Sequence, residues 1–376
     1  MTDLTSLWYF TRPKLAARLA DRVFAHERVA LFGKRQTGKT TLLREEVMPE
    51  VTARRGLPIY VECWADKNDP LGSINYALQK ALDTLLVEPT GIKRKLNTPV
   101  RKIGVAGASV EFADPPTRQI PQSKYLQVDA LLSRILEETK KPVLLVFDEF
   151  QAVATGPDAD AASAALRAAL TQAAKRVGVI FSGSSEVMLL ESFSRSKAPL
   201  YGFANPEPYP LLGDDFVAHI ARKYKAATSR ELPQVDAVRV FDQLGHQPEP
   251  FLNAVANTMA NARWRLDDGL NAMLDPTVRN KWTINWFSLT DLQRVAIRVV
   301  FDGKAPTSAE TVRDAAQQLG QAQVSPSSML RAVEALVAKG LVEAEITAQG
   351  KRYVVDDPVM RSWLTRNRAL PVKTPG

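Results

Sequence analysis

Apolar positions along this chain follow two rhythms, and the change from one to the other divides it. In the first half, short continuous apolar runs alternate with stretches spaced for amphipathic helices. Leu15, Leu19, Val23 and Phe24 recur at helical spacing between Pro13 and about Ala25, and Arg28 to Phe32 then reads as a strand. A helix-forming stretch starts at Thr41, followed by a strand from Pro58 to Trp64, a helix from about Pro70 to Leu86, and a helix from about Lys124 to Thr139. The apolar run Pro142 to Phe147, an Ala-rich helix from Ala159 to Arg176 and a strand from Gly178 to Phe181 complete the series. Uninterrupted apolar strands separated by helices predict an α/β domain, its parallel sheet covered by helices on both faces, over residues 1–212.

Beyond about Gly213 the strands stop. Asp214 to Thr228, Val235 to Leu244 and Pro250 to Arg263 predict helices, and residues 213–285 therefore read as a separate helical region. From about Trp286 the pattern changes once more. Thr290 to Phe301 and Ser308 to Leu319 have amphipathic spacing, and Ser325 with Pro326 starts a third helix that runs to Lys339. Gly340 to Val355 then alternates like a hairpin turning at Gln349-Gly350. Three helices and a hairpin predict a winged helix-turn-helix over residues 286–365, which leaves 366–376 as a flexible tail.

The first strand–helix junction carries the strongest chemical signal. Gly33, Lys34, Arg35, Gln36, Thr37, Gly38, Lys39 and Thr40, with Thr41 behind them, lie between the strand ending at Phe32 and the helix that follows. A chain that turns sharply there with its N–H groups pointing inward cradles an anion, and the two glycines allow that backbone at low steric cost. Lys39 can then meet the β- and γ-phosphates of ATP, and the Thr40 hydroxyl can ligate Mg²⁺. The run ending at Phe147 delivers Asp148 and Glu149 to the same end of a parallel sheet. In that setting Asp148 completes the Mg²⁺ shell and Glu149 is the general base for water.

Composition narrows the reading further. At 376 residues and 45% apolar content, two or three cores are expected. Cys63 is the only cysteine and lies in an apolar run, so it reads as a small buried residue; His26, His219 and His246 lack metal-ligand spacing. No stretch approaches 18 uninterrupted apolar residues, and Met1 to Thr5 does not resemble a signal peptide, so a cytoplasmic location without a membrane partner is expected. The net charge of +8 is unevenly spread. Between Pro89 and Val110 there is no acidic residue, but Lys93, Arg94, Lys95, Arg101 and Lys102 are present, and 89–123 reads as a basic flap with a β-like piece from Ile103 to Phe112. From Arg279 onward, 14 basic residues face 9 acidic ones. Both regions are candidates for contact with a phosphate backbone.

The chain resembles the archaeal-type P-loop ATPases of the AAA-like and STAND assemblage, which also occur in bacteria. The resemblance rests on the phosphate loop, on Phe147-Asp148-Glu149-Phe150-Gln151, on Ser182-Gly183-Ser184-Ser185, and on Ala198-Pro199-Leu200-Tyr201-Gly202. Gly245-His246-Gln247-Pro248, Val355-Asp356-Asp357-Pro358 and Trp363-Leu364 extend it over nearly the whole chain. It implies an ATPase core, a helical lid over 213–285 and a winged-helix end. It also implies that Ser182 or Ser184 touches the γ-phosphate or water, and that Pro248 meets the nucleotide from the lid. The family commonly has Arg where this chain has Phe203, so an arginine acting there must come from elsewhere, and Arg195 is a nearby candidate.

The leading expectation is a slow ATPase switch, cycling between ATP and ADP, that binds duplex DNA. Ser327, Ser328 and Arg331 lie at the start of the expected recognition helix, and Lys351 and Arg352 flank the wing. The alternative is a regulatory signalling ATPase that forms homo-oligomers on ATP and binds a protein partner.

Overall fold

A computed structural model of the protein describes residues 8–66, 68–87, 120–156, 158–184, 186–274, 281–347 and 350–373. The basic flap expected over 89–123 lies outside the described residues except for 120–123. The chain forms two compact units: Arg12–Gly33 with Lys39–Tyr209, and Met1–Thr11 with Lys34–Gly38 and Pro210–Gly376. Among the described residues no helix is long and apolar enough to cross a membrane.

The first unit is built on a parallel sheet. Its strands are β1 (Arg28–Phe32), β2 (Leu57–Glu62), β3 (Val143–Asp148), β4 (Val177–Gly183) and β5 (Asn205–Pro208), in the order β2-β3-β4-β1-β5. The helices are α1 (Pro13–Phe24), α2 (Lys39–Leu42) continuing through a π-helical turn (Leu43–Val47) into α3 (Met48–Ala53), α4 (Pro70–Val87), α5 (Lys124–Glu138), α6 (Gln151–Thr155), α7 (Ala159–Gln172) and α8 (Glu186–Ser194). Every residue of β3 and β4 is buried. Because successive side chains leave a strand on opposite faces, Val143, Leu145 and Phe147 join one core with Leu78, Leu131 and Leu166. Leu144 and Val146 join the other with Leu19, Leu42 and Val51. Two covered faces explain why β3 reads as a continuous apolar run.

Two differences from expectation have physical causes. The second strand ends at Glu62, short of the expected Trp64, and the turn that follows leaves Trp64 exposed. The edge strand β5 has the sequence Asn-Pro-Glu-Pro, which carries no strand signal, yet an edge that pairs only with β1 tolerates proline. Its buried Glu207 is answered by Arg18 at 2.7 Å and by Arg22, both on α1.

The second unit holds two cores. Helices α9 (Asp214–Thr228), α10 (Gln234–Gln243), α11 (Pro248–Ala260) and α12 (Leu266–Leu274) enclose Phe216, Tyr224, Phe241 and Phe251. Helices α13 (Lys281–Ser288), α14 (Asp291–Phe301), α15 (Ala309–Leu319) and α16 (Pro326–Ala338), the hairpin β6 (Glu343–Thr347)–β7 (Gly350–Val354), and α17 (Pro358–Arg366) enclose Trp286, Met329 and Trp363. Thr290, Ser308 and Ser325 each accept a hydrogen bond from the third residue of the helix they cap, so side-chain oxygens fix where α14, α15 and α16 begin. The expected flexible tail is tied down as far as Val372. Buried Arg294 donates to the Val372 carbonyl at 3.2 Å, Arg298 donates to that of Leu370 at 2.6 Å, and both apolar side chains pack on the core.

Candidate functional site

The loop after β1 turns through two left-handed residues, Gln36 at φ 59° and Gly38 at φ 92°. Such a turn gathers successive N–H groups into an anion-binding concavity. At its start, a Cβ on Gly33 would stand 3.0 Å from Cβ of Tyr209, so a side chain there would push the loop off β5. Thr37 is fully buried and its hydroxyl donates to the Lys34 carbonyl at 2.8 Å. Lys39 is buried, and its ammonium donates to the Gly33 carbonyl at 2.6 Å, which folds it back over the loop.

The end of β3 supplies the second half. The Thr40 hydroxyl donates to Oδ2 of buried Asp148 at 2.6 Å, the Tyr60 hydroxyl donates to the same oxygen at 2.8 Å, and the Glu149 N–H donates to Oδ1 at 3.1 Å. The alcohol of Thr40 at the start of α2 and the carboxylate of Asp148 at the end of β3 are the hard oxygen donors that Mg²⁺ prefers, so the residues fit the ion. Burial first, and the Asp148 charge second, push the Tyr60 phenol far above its ordinary range, which keeps it a donor. The same two causes raise the Glu62 carboxyl.

Glu149 has a left-handed backbone, φ 52°, which is strained for a residue with a side chain. Its Oε2 accepts from the Ser184 hydroxyl at 2.7 Å and from the Gln151 amide. Strand order explains the encounter: β4 lies between β3 and β1, with Phe147 opposite Phe181 and Leu31 opposite Ser182. Residues just past Phe181 are thereby flanked by the phosphate-loop strand on one side and the acidic pair on the other. Of the two serines singled out in the sequence, Ser184 meets Glu149, whereas the Ser182 hydroxyl is buried without a hydrogen-bond partner.

Other expected residues lie elsewhere or are engaged differently. Lys34 and Arg35 cluster with the second unit, where Lys34 pairs with Asp356 and Arg35 lies 3.9 Å from Glu343. Burial, the largest influence, pulls the Lys34 ammonium down, but Asp356 with Glu345 and Glu343 carries it above its ordinary value. Thr41 is exposed on α2, Pro248 opens α11 in the second unit, and Arg195 is exposed just past α8. Phe203, which replaces the arginine implied by resemblance, is buried with the guanidinium of Arg28 4.1 Å and that of Arg167 5.2 Å from its ring centre.

In the second unit Ser327 and Ser328 are partly consumed by capping. Ser325 Oγ lies 3.0 Å from Ser327 Oγ and donates to Ser328 Oγ at 2.9 Å, and Arg331 donates to that last oxygen at 3.3 Å. Exposed Lys351 and Arg352 line a cleft of about 490 Å³ together with Lys304 and Tyr353. Lys304 was not singled out from the sequence, because it lies in the turn after α14 rather than on the wing. Tyr60 was also missed, and Gln151 entered the sequence reading only as the last residue of the Phe147 to Gln151 run without a role of its own, since each meets the site through a neighbouring carboxylate.

Residues 13–181 match the sequence model of the AAA ATPase domain. These residues are an AAA ATPase domain. No curated protein matches the chain. Among solved structures, the chain is similar to the Walker-type ATPase of Pyrococcus abyssi, with 13% identity, TM-score 0.57, and coverage of 95% of this chain and 96% of that one. It is also similar to the ORC2 protein of Aeropyrum pernix in ADPNP–ADP complexes, with 17% identity, TM-score 0.51, and coverage of 95% and 92%. At such identities the likeness concerns the fold, which extends over both units.

Proposed function

We propose that this AAA protein is a Mg²⁺-dependent ATPase switch that binds duplex DNA through the three helices and hairpin of its second unit, read as a winged helix. The observation that carries the reading is the meeting of Thr40 with Asp148 directly beside Glu149, at the strand ends next to a phosphate loop. Thr40 and Asp148 would hold Mg²⁺, which when bound neutralises charge on the phosphate oxygens. Lys39, whose ammonium now donates to the Gly33 carbonyl, supplies the point charge for the β- and γ-phosphates. Glu149 takes the proton of the attacking water as general base. The nucleotide-bound state of the Aeropyrum pernix protein of similar fold agrees with this use.

Exposed Arg331, Lys351 and Arg352 support the DNA arm, with Lys304 beside them in the cleft. ATP turnover with and without duplex DNA, measured while molar mass is followed by light scattering, tests the reading. DNA-dependent turnover at constant mass is the expected result. Mass that grows on ATP with no response to DNA favours the signalling ATPase that assembles and binds a protein partner.

A further inference from the structure

We propose that Gln151 is a positioning residue that holds the Glu149 carboxylate in its working orientation. This rests on Glu149 being the general base. Gln151 is 2% exposed and lies only two residues beyond Glu149, so its amide reaches back because the chain takes its left-handed step at Glu149. The Gln151 Nε2 group donates both to Glu149 Oε2 and to Ser184 Oγ, the latter at 3.2 Å. Ser184 donates its own proton to the same carboxylate oxygen at 2.7 Å. The three side chains close a triangle in which every donor direction is determined. Gln151 Nε2 is the only end of the amide that can face a carboxylate, since Oε1 would set acceptor against acceptor.

Both donors converge on Oε2, so the opposite oxygen of Glu149 is the one presented to water. A base anchored through one oxygen cannot swing away, and a well-fixed base is what general-base catalysis requires. The other end of the amide is closely fitted too. Gln151 Oε1 is buried without a hydrogen-bond partner, and a Cβ on Gly183 would stand 2.6 Å from it. Gly183 therefore leaves the space that Gln151 fills, and an added methyl there would displace the amide, the movable partner, before the backbone.

The test is steady-state ATPase kinetics on the full chain with Gln151→Met, which keeps the length and removes both polar groups. Loss of a hydrogen bond to a charged group predicts a fall in kcat of about tenfold, with KM for ATP held within about twofold. In a Glu149→Gln background the same substitution should add less than about twofold, because its effect passes through the carboxylate. Gly183→Ala, which leaves Gln151 in the chain but moves its amide, should repeat the loss of kcat and serves if Gln151→Met does not fold. An unchanged or increased kcat in a folded Gln151→Met protein, or a full tenfold loss that persists in the Glu149→Gln background, overturns the proposal. A Glu149→Gln protein that hydrolyses ATP at the wild-type rate overturns the base assignment itself, and the proposal with it.

Discussion

The phosphate site of the first unit and the basic face of the second use polar residues in opposite ways. In the first, buried Asp148 and Ser184 meet half-buried Thr40 and Glu149 across long stretches of chain: Thr40 and Asp148 are 108 residues apart, and Ser184 and Glu149 are 35 apart. In the second, Arg331, Lys351 and Arg352 are exposed and meet close neighbours, Arg331 with Ser328 and Lys351 over the ring of Tyr353. A buried polar group that lacks a partner costs free energy, so a buried site is specified by its own network. An exposed cation is left specified only by its charge, which is all that a phosphate backbone reads. The first unit should thus fail sharply when one residue changes, and the second should fail gradually.

Lys39→Ala should give the largest effect, a loss of ATP affinity of at least about a hundredfold by calorimetry, because the phosphates lose a buried charge partner. Retained affinity would place the phosphates elsewhere. Next comes the second unit: Arg331, Lys351 and Arg352 replaced together with Ala should weaken duplex binding about ten- to a hundredfold at moderate salt. The salt slope should fall by up to about one for each phosphate that is no longer neutralised. Each exposed substitution should leave stability within roughly 0.5 kcal/mol and ATP binding intact. Adding Lys304→Ala should lower the slope again, and an unchanged slope would remove the cleft from the DNA surface.

Phe203→Leu carries the comparison into the core of the first unit. Removing a ring flanked by two guanidiniums should cost about 1–2 kcal/mol in urea denaturation. The smallest expected change belongs to Tyr60→Phe. It deletes one hydrogen bond to Asp148 and should weaken the Mg²⁺ dependence of turnover by about fivefold, equivalent to roughly 1 kcal/mol. If Tyr60→Phe proves as severe as Lys39→Ala, the phenol takes part in the reaction rather than in holding Asp148.

Much of this contrast is legible in the amino-acid sequence. Apolar period places four of the five strands described in the parallel sheet and the principal helices, because burial on both sheet faces leaves an uninterrupted apolar run. The loop at Gly33 to Thr40 and the pair Asp148-Glu149 are readable because their spacing is tied to a strand end. The edge strand β5 is not, since Asn205 to Pro208 becomes a strand only by pairing with β1 while Arg18 and Arg22 neutralise Glu207. Gln151 stays hidden because its role depends on the left-handed turn at Glu149, a backbone feature that residue type does not announce. The segment after Arg366 reads as a loose end, and it is held by the bonds that its carbonyls accept from Arg294 and Arg298 and by the packing of Leu370 and Val372.

The central claim, that Glu149 is the base of an ATP-hydrolysing site, is tested most directly by single-turnover hydrolysis of γ-labelled ATP on Glu149→Gln protein whose ATP affinity is measured in parallel. Loss of a general base should slow the chemical step by about 10²–10⁴ while ATP still binds with near wild-type affinity. Wild-type hydrolysis by Glu149→Gln protein would contradict the account.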